Sequence, residues 1–180
     1  TERSTEISRW VVAERAMYLG QPLFNGGSVA SGVQAPSTVW YHAEGATGPY
    51  FDTFLLVANP SNDATTIRAT LLLPSGATVE RTYDVAAKSR FNIWVDLEDP
   101  RLADTAVSQV VRSTNGVPVV VERAMWWGAP DWYEGHNSAG AQTTGTKWGL
   151  ADGEIDDARG AETYILVGNT SAFAGTARVI

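Results

Sequence analysis

A four-residue string occurs twice in this chain, as Glu14-Arg15-Ala16-Met17 and again as Glu122-Arg123-Ala124-Met125. Trp40 with Ala43-Glu44-Gly45 returns as Trp148 with Ala151-Asp152-Gly153, and both pairs stand 108 residues apart. A third match joins Asp52-Thr53-Phe54-Leu55-Leu56-Val57-Ala58-Asn59 to Glu162-Thr163-Tyr164-Ile165-Leu166-Val167-Gly168-Asn169 at an offset of 110, so short loop insertions separate copies that otherwise run in step. An offset of that size is one small domain. The 180 residues therefore read as a piece of a tandem array rather than one continuous fold.

The pattern within each copy is that of strands: short segments rich in Val, Ile, Thr and aromatic residues, bounded by Gly, Pro, Asn and Ser. Strands are expected near 9–18, 38–43, 52–58, 66–73, 78–85, 90–95, 106–112, 117–127, 147–151, 162–168 and 174–180. Ser75-Gly76 and Asn115-Gly116 supply the positive-φ positions of tight turns and predict hairpins over 71–79 and 110–119. A single helical turn is expected at 99–104, with Asp99 as cap and Pro100 at an early helical position. Cutting after the repeated Glu-Arg-Ala-Met strand leaves one whole unit, residues 36–128, whose seven short strands read as a two-sheet sandwich. Residues 1–35 become the closing strand and loop of a preceding module. Residues 129–180 become a junction loop and the opening strands of a following, truncated one. Thr176–Ile180 aligns with Thr66–Thr70, where the earlier copy runs on into Leu71-Leu72-Leu73, so the segment is expected to be trimmed within a strand.

Composition excludes several functions. A formal charge of −7 with only 13 Lys and Arg opposes binding to nucleic acid or to an anionic membrane surface. The absence of cysteine removes disulfides, thiol nucleophiles and Cys-based metal centres, and leaves the compartment open. No apolar run approaches 18 residues and Thr1-Glu2-Arg3 does not begin a signal peptide, so a soluble segment without membrane insertion is expected.

Several strings also carry a family resemblance: Val12–Tyr18, Trp40–Leu56, Ala58-Asn59-Pro60, Leu72–Gly76 and Ser113–Pro118. They resemble repeat modules found in tandem in large secreted or surface-exposed bacterial proteins. The resemblance spans nearly the whole chain. It implies an all-β, immunoglobulin-like β-sandwich, an extracellular or cell-surface location, and a structural or adhesive role, as in a fibre, with neighbouring modules of the same or another copy as partners. It brings no catalytic residues. The second opening segment departs from the pattern at Ala151–Asp157.

Charges that keep their sign in both copies, Glu14 with Glu122, Arg15 with Arg123, Glu44 with Asp152 and Asp52 with Glu162, are the first candidates for chemistry. Adjacent strand residues face opposite ways, so Glu14 and Arg15 cannot line one cleft, and structural ion pairs are the expectation. A glycoside-hydrolase-like reading would need Glu44 and Asp52 together in a cleft. No Gly-x-Ser-x-Gly elbow is present, neither His42 nor His136 has a His at the matching position of the other copy, and a solvated loop is expected for His136. No cofactor and no catalytic or metal residue set is assigned. The acidic loops Asp152–Asp157 and Asp96–Asp99 with Asp104 offer oxygens for a weak structural calcium, although the first lacks the glycine and glutamate of an EF-hand. Aromatic residues give the best ligand candidates: Trp126, Trp127, Trp132 and Tyr133 fall within eight positions, and an exposed indole there would stack on a polysaccharide. Trp40 and Trp148 recur in register and are expected as core anchors. Two functions of different class follow: a non-catalytic array module that stacks or pairs strands, and a carbohydrate-binding module of a secreted enzyme.

Overall fold

The computed structural model describes residues 11–20, 26–128 and 131–180. Ten strands run through them: β1 Glu14–Leu19, β2 Gly26–Ser31, β3 Val39–His42, β4 Phe51–Asn59, β5 Thr65–Leu72, β6 Thr78–Val85, β7 Ser89–Trp94, β8 Ser108–Ser113, β9 Val120–Trp127 and β10 Glu134–Ala139. The chain is all-β. Antiparallel ladders join the strands into two four-stranded sheets, ordered β10-β9-β4-β7 and β3-β8-β5-β6, and one two-stranded sheet, β1-β2.

Side-chain alternation explains where the core lies. Thr65, Ile67, Ala69 and Leu71 are buried along β5 while their neighbours are not, and Thr53, Leu55, Val57 and Asn59 do the same along β4. These faces meet one another, together with Val79, Val85, Ile93, Val111 and Val121, in a single apolar cluster. Each such aliphatic side chain stabilises the fold by about 1.5 to 3 kcal/mol relative to exposure. Trp40 lies in the middle, fully buried, and its Nε1–H donates to the Val119 carbonyl at 2.8 Å. Backbone bonds stitch the sheets together at one side, between Ser37 and Val119 and between Tyr41 and Ala141.

All seven strands expected between 36 and 128 are present, 78–85 with the bounds expected and the other six with shifted ends, and the helical turn forms at Pro100–Leu102, where the Asp99 carboxylate accepts from Arg101 N–H. The Asn115-Gly116 turn does not make a hairpin. β8 and β9 belong to different sheets, because Pro118 has no N–H for a ladder and Val119 pairs with Ser37 instead. Neither β2 nor β10 is expected from composition, since Gly, Ser and Ala dominate them. No ladder forms over 147–151, 162–168 or 174–180, and Trp148 is 69% exposed rather than a core anchor. A strand needs a neighbour and a covering face, and this segment has neither. The expected beginning of the first strand at residues 9 and 10, most of the 1–35 fragment's opening, and Ala129-Pro130 of the aromatic loop lie outside the described residues.

Candidate functional site

The repeated strand brings a repeated hairpin with it. β1 pairs β2 from Glu14↔Ser31 to Leu19↔Gly26, and β9 pairs β10 from Glu122↔Ala139 to Trp127↔Glu134, so all six pairs recur at the same offset of 108. The two hairpins also touch. Arg15 Nη1 donates to Glu122 Oε2 at 2.7 Å, and the Asn137 backbone N–H donates to Ser28 Oγ at 3.0 Å. Gly26 is buried so tightly that a Cβ there would lie 2.7 Å from the Tyr133 carbonyl oxygen. Small residues along β2 permit this approach. Two shallow grooves flank Arg15, of about 220 and about 250 Å3; Ala13, Ala30 and Gly32 help to line the first, Leu56, Ala58 and Val120 the second.

Glu122 and its neighbour Arg123 point to opposite faces of β9. Glu122 meets Arg15 outside, whereas the Arg123 side chain is 3% exposed and its Nη2 lies 2.8 Å from Glu44 Oε2. Burial lowers the Arg123 pKa and Glu44 opposes that shift. His136 is not in a solvated loop. It lies on β10, half-buried, with Nδ1 3.4 Å from Arg123 Nη1 and Nε2 3.8 Å from Glu44. Burial, reinforced by the Arg123 charge, lowers its pKa. The same two causes push His42 down to about 3, so this imidazole is neutral in the fold.

Asp52 is held elsewhere. By strand alternation it faces away from Arg123, and its carboxylate accepts from Trp94 Nε1 at 3.0 Å and from Trp132 Nε1 at 2.6 Å. Phe54 packs against both rings, at centroid distances of 5.2 and 6.1 Å. Glu44 and Asp52 thus do not share a cleft. Trp126 covers Gly135, where a Cβ would lie 2.4 Å from the ring. Trp127 donates Nε1–H to Glu134 Oε2 at 3.2 Å, and Tyr133, 54% exposed, shares a 3.3 Å hydroxyl contact with Tyr50. All four candidate aromatic residues therefore sit against protein groups, and of the four Tyr133 alone is more than half exposed.

Two local motifs of the 46–63 stretch recur in residues 154–173 without its ladders. Thr53 Oγ1 donates to the Ala46 carbonyl and accepts from its N–H, at 2.5 and 3.2 Å; Thr163 does both with Glu154, at 2.8 Å each. Asn59 Nδ2 donates to the Asp63 carbonyl and its Oδ1 accepts from Ser61 N–H; Asn169 repeats these bonds with Phe173 and Ser171. Asp152 accepts from Gly153 N–H, and Glu162 from the Tyr164 hydroxyl. In the acidic loops, Arg159 pairs with Glu154 and Asp156, and Arg81 and Arg101 pair with Asp99. Among the described residues no three His, Cys, Asp or Glu converge as a cation site, and no helix is long and apolar enough to cross a membrane.

Sequence reasoning found Arg15, Glu122, Arg123 and Glu44 through their recurrence. It missed Gly26, Ser28 and Asn137, which a search for the missing neighbour of each repeated strand would have reached.

No family model and no curated protein matches the chain. Among solved structures it is similar to Thermotoga maritima 1070, with 16% identity and a TM-score of 0.54 over 63% of this chain and 100% of that one. It is also similar to the Anabaena sensory rhodopsin transducer, with 24% identity and a TM-score of 0.43 over 51% of this chain and 91% of that one. Both are all-β, and at 16% identity the first likeness bears on the fold alone.

Proposed function

We propose that the chain is a non-catalytic stretch of a tandem array in an extracellular or cell-surface bacterial protein, in which the repeated hairpin of one module seats that of the next. The observation that carries this reading is the contact between two hairpins of identical register, made through Arg15 and Glu122. An immunoglobulin-like assignment, with β3 to β9 taken as strands A to G of that fold, is supported by its B–E and C–F neighbours, here β4 beside β7 and β5 beside β8. The first and last strands exchange places relative to that fold, with β3 beside β8 and β9 beside β4, and β6 pairs with β5 instead of β7. A structural and adhesive role accords with side chains engaged in packing rather than poised for reaction: His42 is held neutral, burial shifts His136 down, and Glu44 and Asp52 are engaged apart from one another.

Hydrogen exchange on β1 and β2 tests the seat. Arg15→Glu should release the hairpin, and the double swap Arg15→Glu with Glu122→Arg should restore its protection. Unchanged protection in Arg15→Glu would remove the stacking reading. The carbohydrate-binding alternative draws on Tyr133, Tyr50 and Trp94, which keep exposed ring surface. Strong glycan-array binding that disappears in Tyr133→Ala would move it to first place.

A further inference from the structure

The turn that carries the chain out of β8 holds its asparagine by both ends of the carboxamide. Asn115 Oδ1 accepts from three donors, Thr65 Oγ1 at 2.8 Å, Ser113 Oγ at 3.1 Å and the Val117 backbone N–H at 3.5 Å. Its Nδ2 donates to the Ala64 carbonyl at 3.0 Å. The side chain thus latches the turn to the start of β5, where Thr114 N–H and Oγ1 also bind the Thr66 carbonyl. Gly116 follows at φ +80°, and nothing lies within 4 Å of the place its Cβ would take. Both residues are exposed, and among the described residues the Gly116 N–H has no acceptor. Of the other described asparagines, Asn59 precedes Pro60, which has no N–H, and Asn62, Asn92, Asn137 and Asn169 precede residues that carry a Cβ.

We infer that Asn115 is a self-modifying site, at which the fold promotes the deamidation of its own side chain. The Gly116 nitrogen bonds to Asn115 Cγ and closes a five-membered imide. Negative charge gathers on Oδ1 as that bond forms, and three donors already point at this oxygen. The Cγ–Nδ2 bond then breaks, and the amide leaves as ammonia, regaining through solvent the proton that the Gly116 nitrogen gives up. One water molecule opens the imide at either carbonyl, leaving an aspartate or, where the main chain now runs through Cγ, an isoaspartate. No electrons are exchanged, and water is the only co-reactant. Either product lacks the donor that binds Ala64 and sets a carboxylate against that carbonyl, adding one negative charge to the formal −7. The corner at which the chain leaves the sheet of β8 for that of β9 is thereby unlatched. This chemistry lies within one turn and stands apart from the array reading.

Trypsin cuts after Arg112 and Arg123, so residues 113–123 come off as one peptide, separate from the one that holds Asn25. Mass spectrometry of that peptide reads the reaction. Held at mildly alkaline pH, the folded chain should accumulate its deamidated form about three- to tenfold faster than the chain unfolded in guanidinium chloride. Thr65→Val removes the nearest donor to Oδ1 and should cancel most of that advantage while leaving the unfolded rate unchanged. Ser113→Ala removes the second donor and makes the same comparison should the first variant fail to fold. A folded rate at or below the unfolded one, or a folded rate indifferent to both substitutions, overturns the inference. Asn115→Asp reproduces one product and should lower the urea midpoint of unfolding, because the bond to Ala64 is lost. An unchanged midpoint overturns the unlatching.

Discussion

Arg15 Nη1 lies 2.7 Å from Glu122 Oε2, so the cation of one copy of the repeated strand is neutralised by the anion of the other. The two side chains are 40% and 20% exposed, and solvent screens the pair accordingly. Arg15→Ala is expected to weaken the seating of the hairpin by about 0.5 to 1 kcal/mol, read as the opening free energy of β1 and β2 amides. The effect should shrink as salt rises. Equal opening free energies in the two proteins would show that the pair contributes nothing.

Glu44→Ala should cost more. It strands the Arg123 guanidinium, whose side chain is 3% exposed, and the Glu44 side chain at 36% exposure places the loss at about 2 kcal/mol, below that of a fully enclosed pair. Arg123→Met removes the charge but keeps the stem and should cost less. Urea unfolding of both variants and of the double variant measures the coupling, and additive effects would deny it.

Stability should fall with acid through His42. Its folded pKa of about 3 stands below the unfolded value of 6.5, so the unfolded chain binds the extra proton. The contribution is complete above pH 6.5 and is lost progressively as pH falls toward 3. The slope is at most about 1.4 kcal/mol per pH unit, and His136, shifted the same way, adds to it. Nε2 of His42 is buried without a partner, so His42→Leu is expected to fold and to flatten this dependence. Parallel urea midpoints for the two proteins across that range would clear His42 of the role.

Asp52 binds two indole N–H groups with one carboxylate. Asp52→Asn presents a donor to one of them and should destabilise the fold by about 2 kcal/mol. Trp132→Phe retains the ring and removes one donor, with a smaller loss. Thermal unfolding separates the two. An Asp52→Asn protein as stable as its parent would show these bonds to be replaceable by water.

The recurrence of Glu-Arg-Ala-Met made the hairpin copy legible, because identical strands with equal spacing impose equal registers. Alternation in β4 and β5 likewise exposed the core. Asn115-Gly116 misled, since turn chemistry fixes a local bend but not which sheet the chain enters next; Pro118 and the Ser37–Val119 bridge decide that. β2 and β10 were hidden because a strand pressed against another hairpin selects small residues over the β-branched ones that mark strands in sequence. The clasp of Asp52 by Trp94 and Trp132 joins residues 42 and 80 positions apart, and no local pattern announces it.

The bonds from Tyr41 to Ala141 and from Ser37 to Val119 close one flank of the two sheets, while Glu80, Arg81 and Asp84 place charge along β6 on the other. A passing strand therefore meets a closed seam at one flank and charge along β6 at the other, which disfavours edge-to-edge fusion of neighbouring sheets.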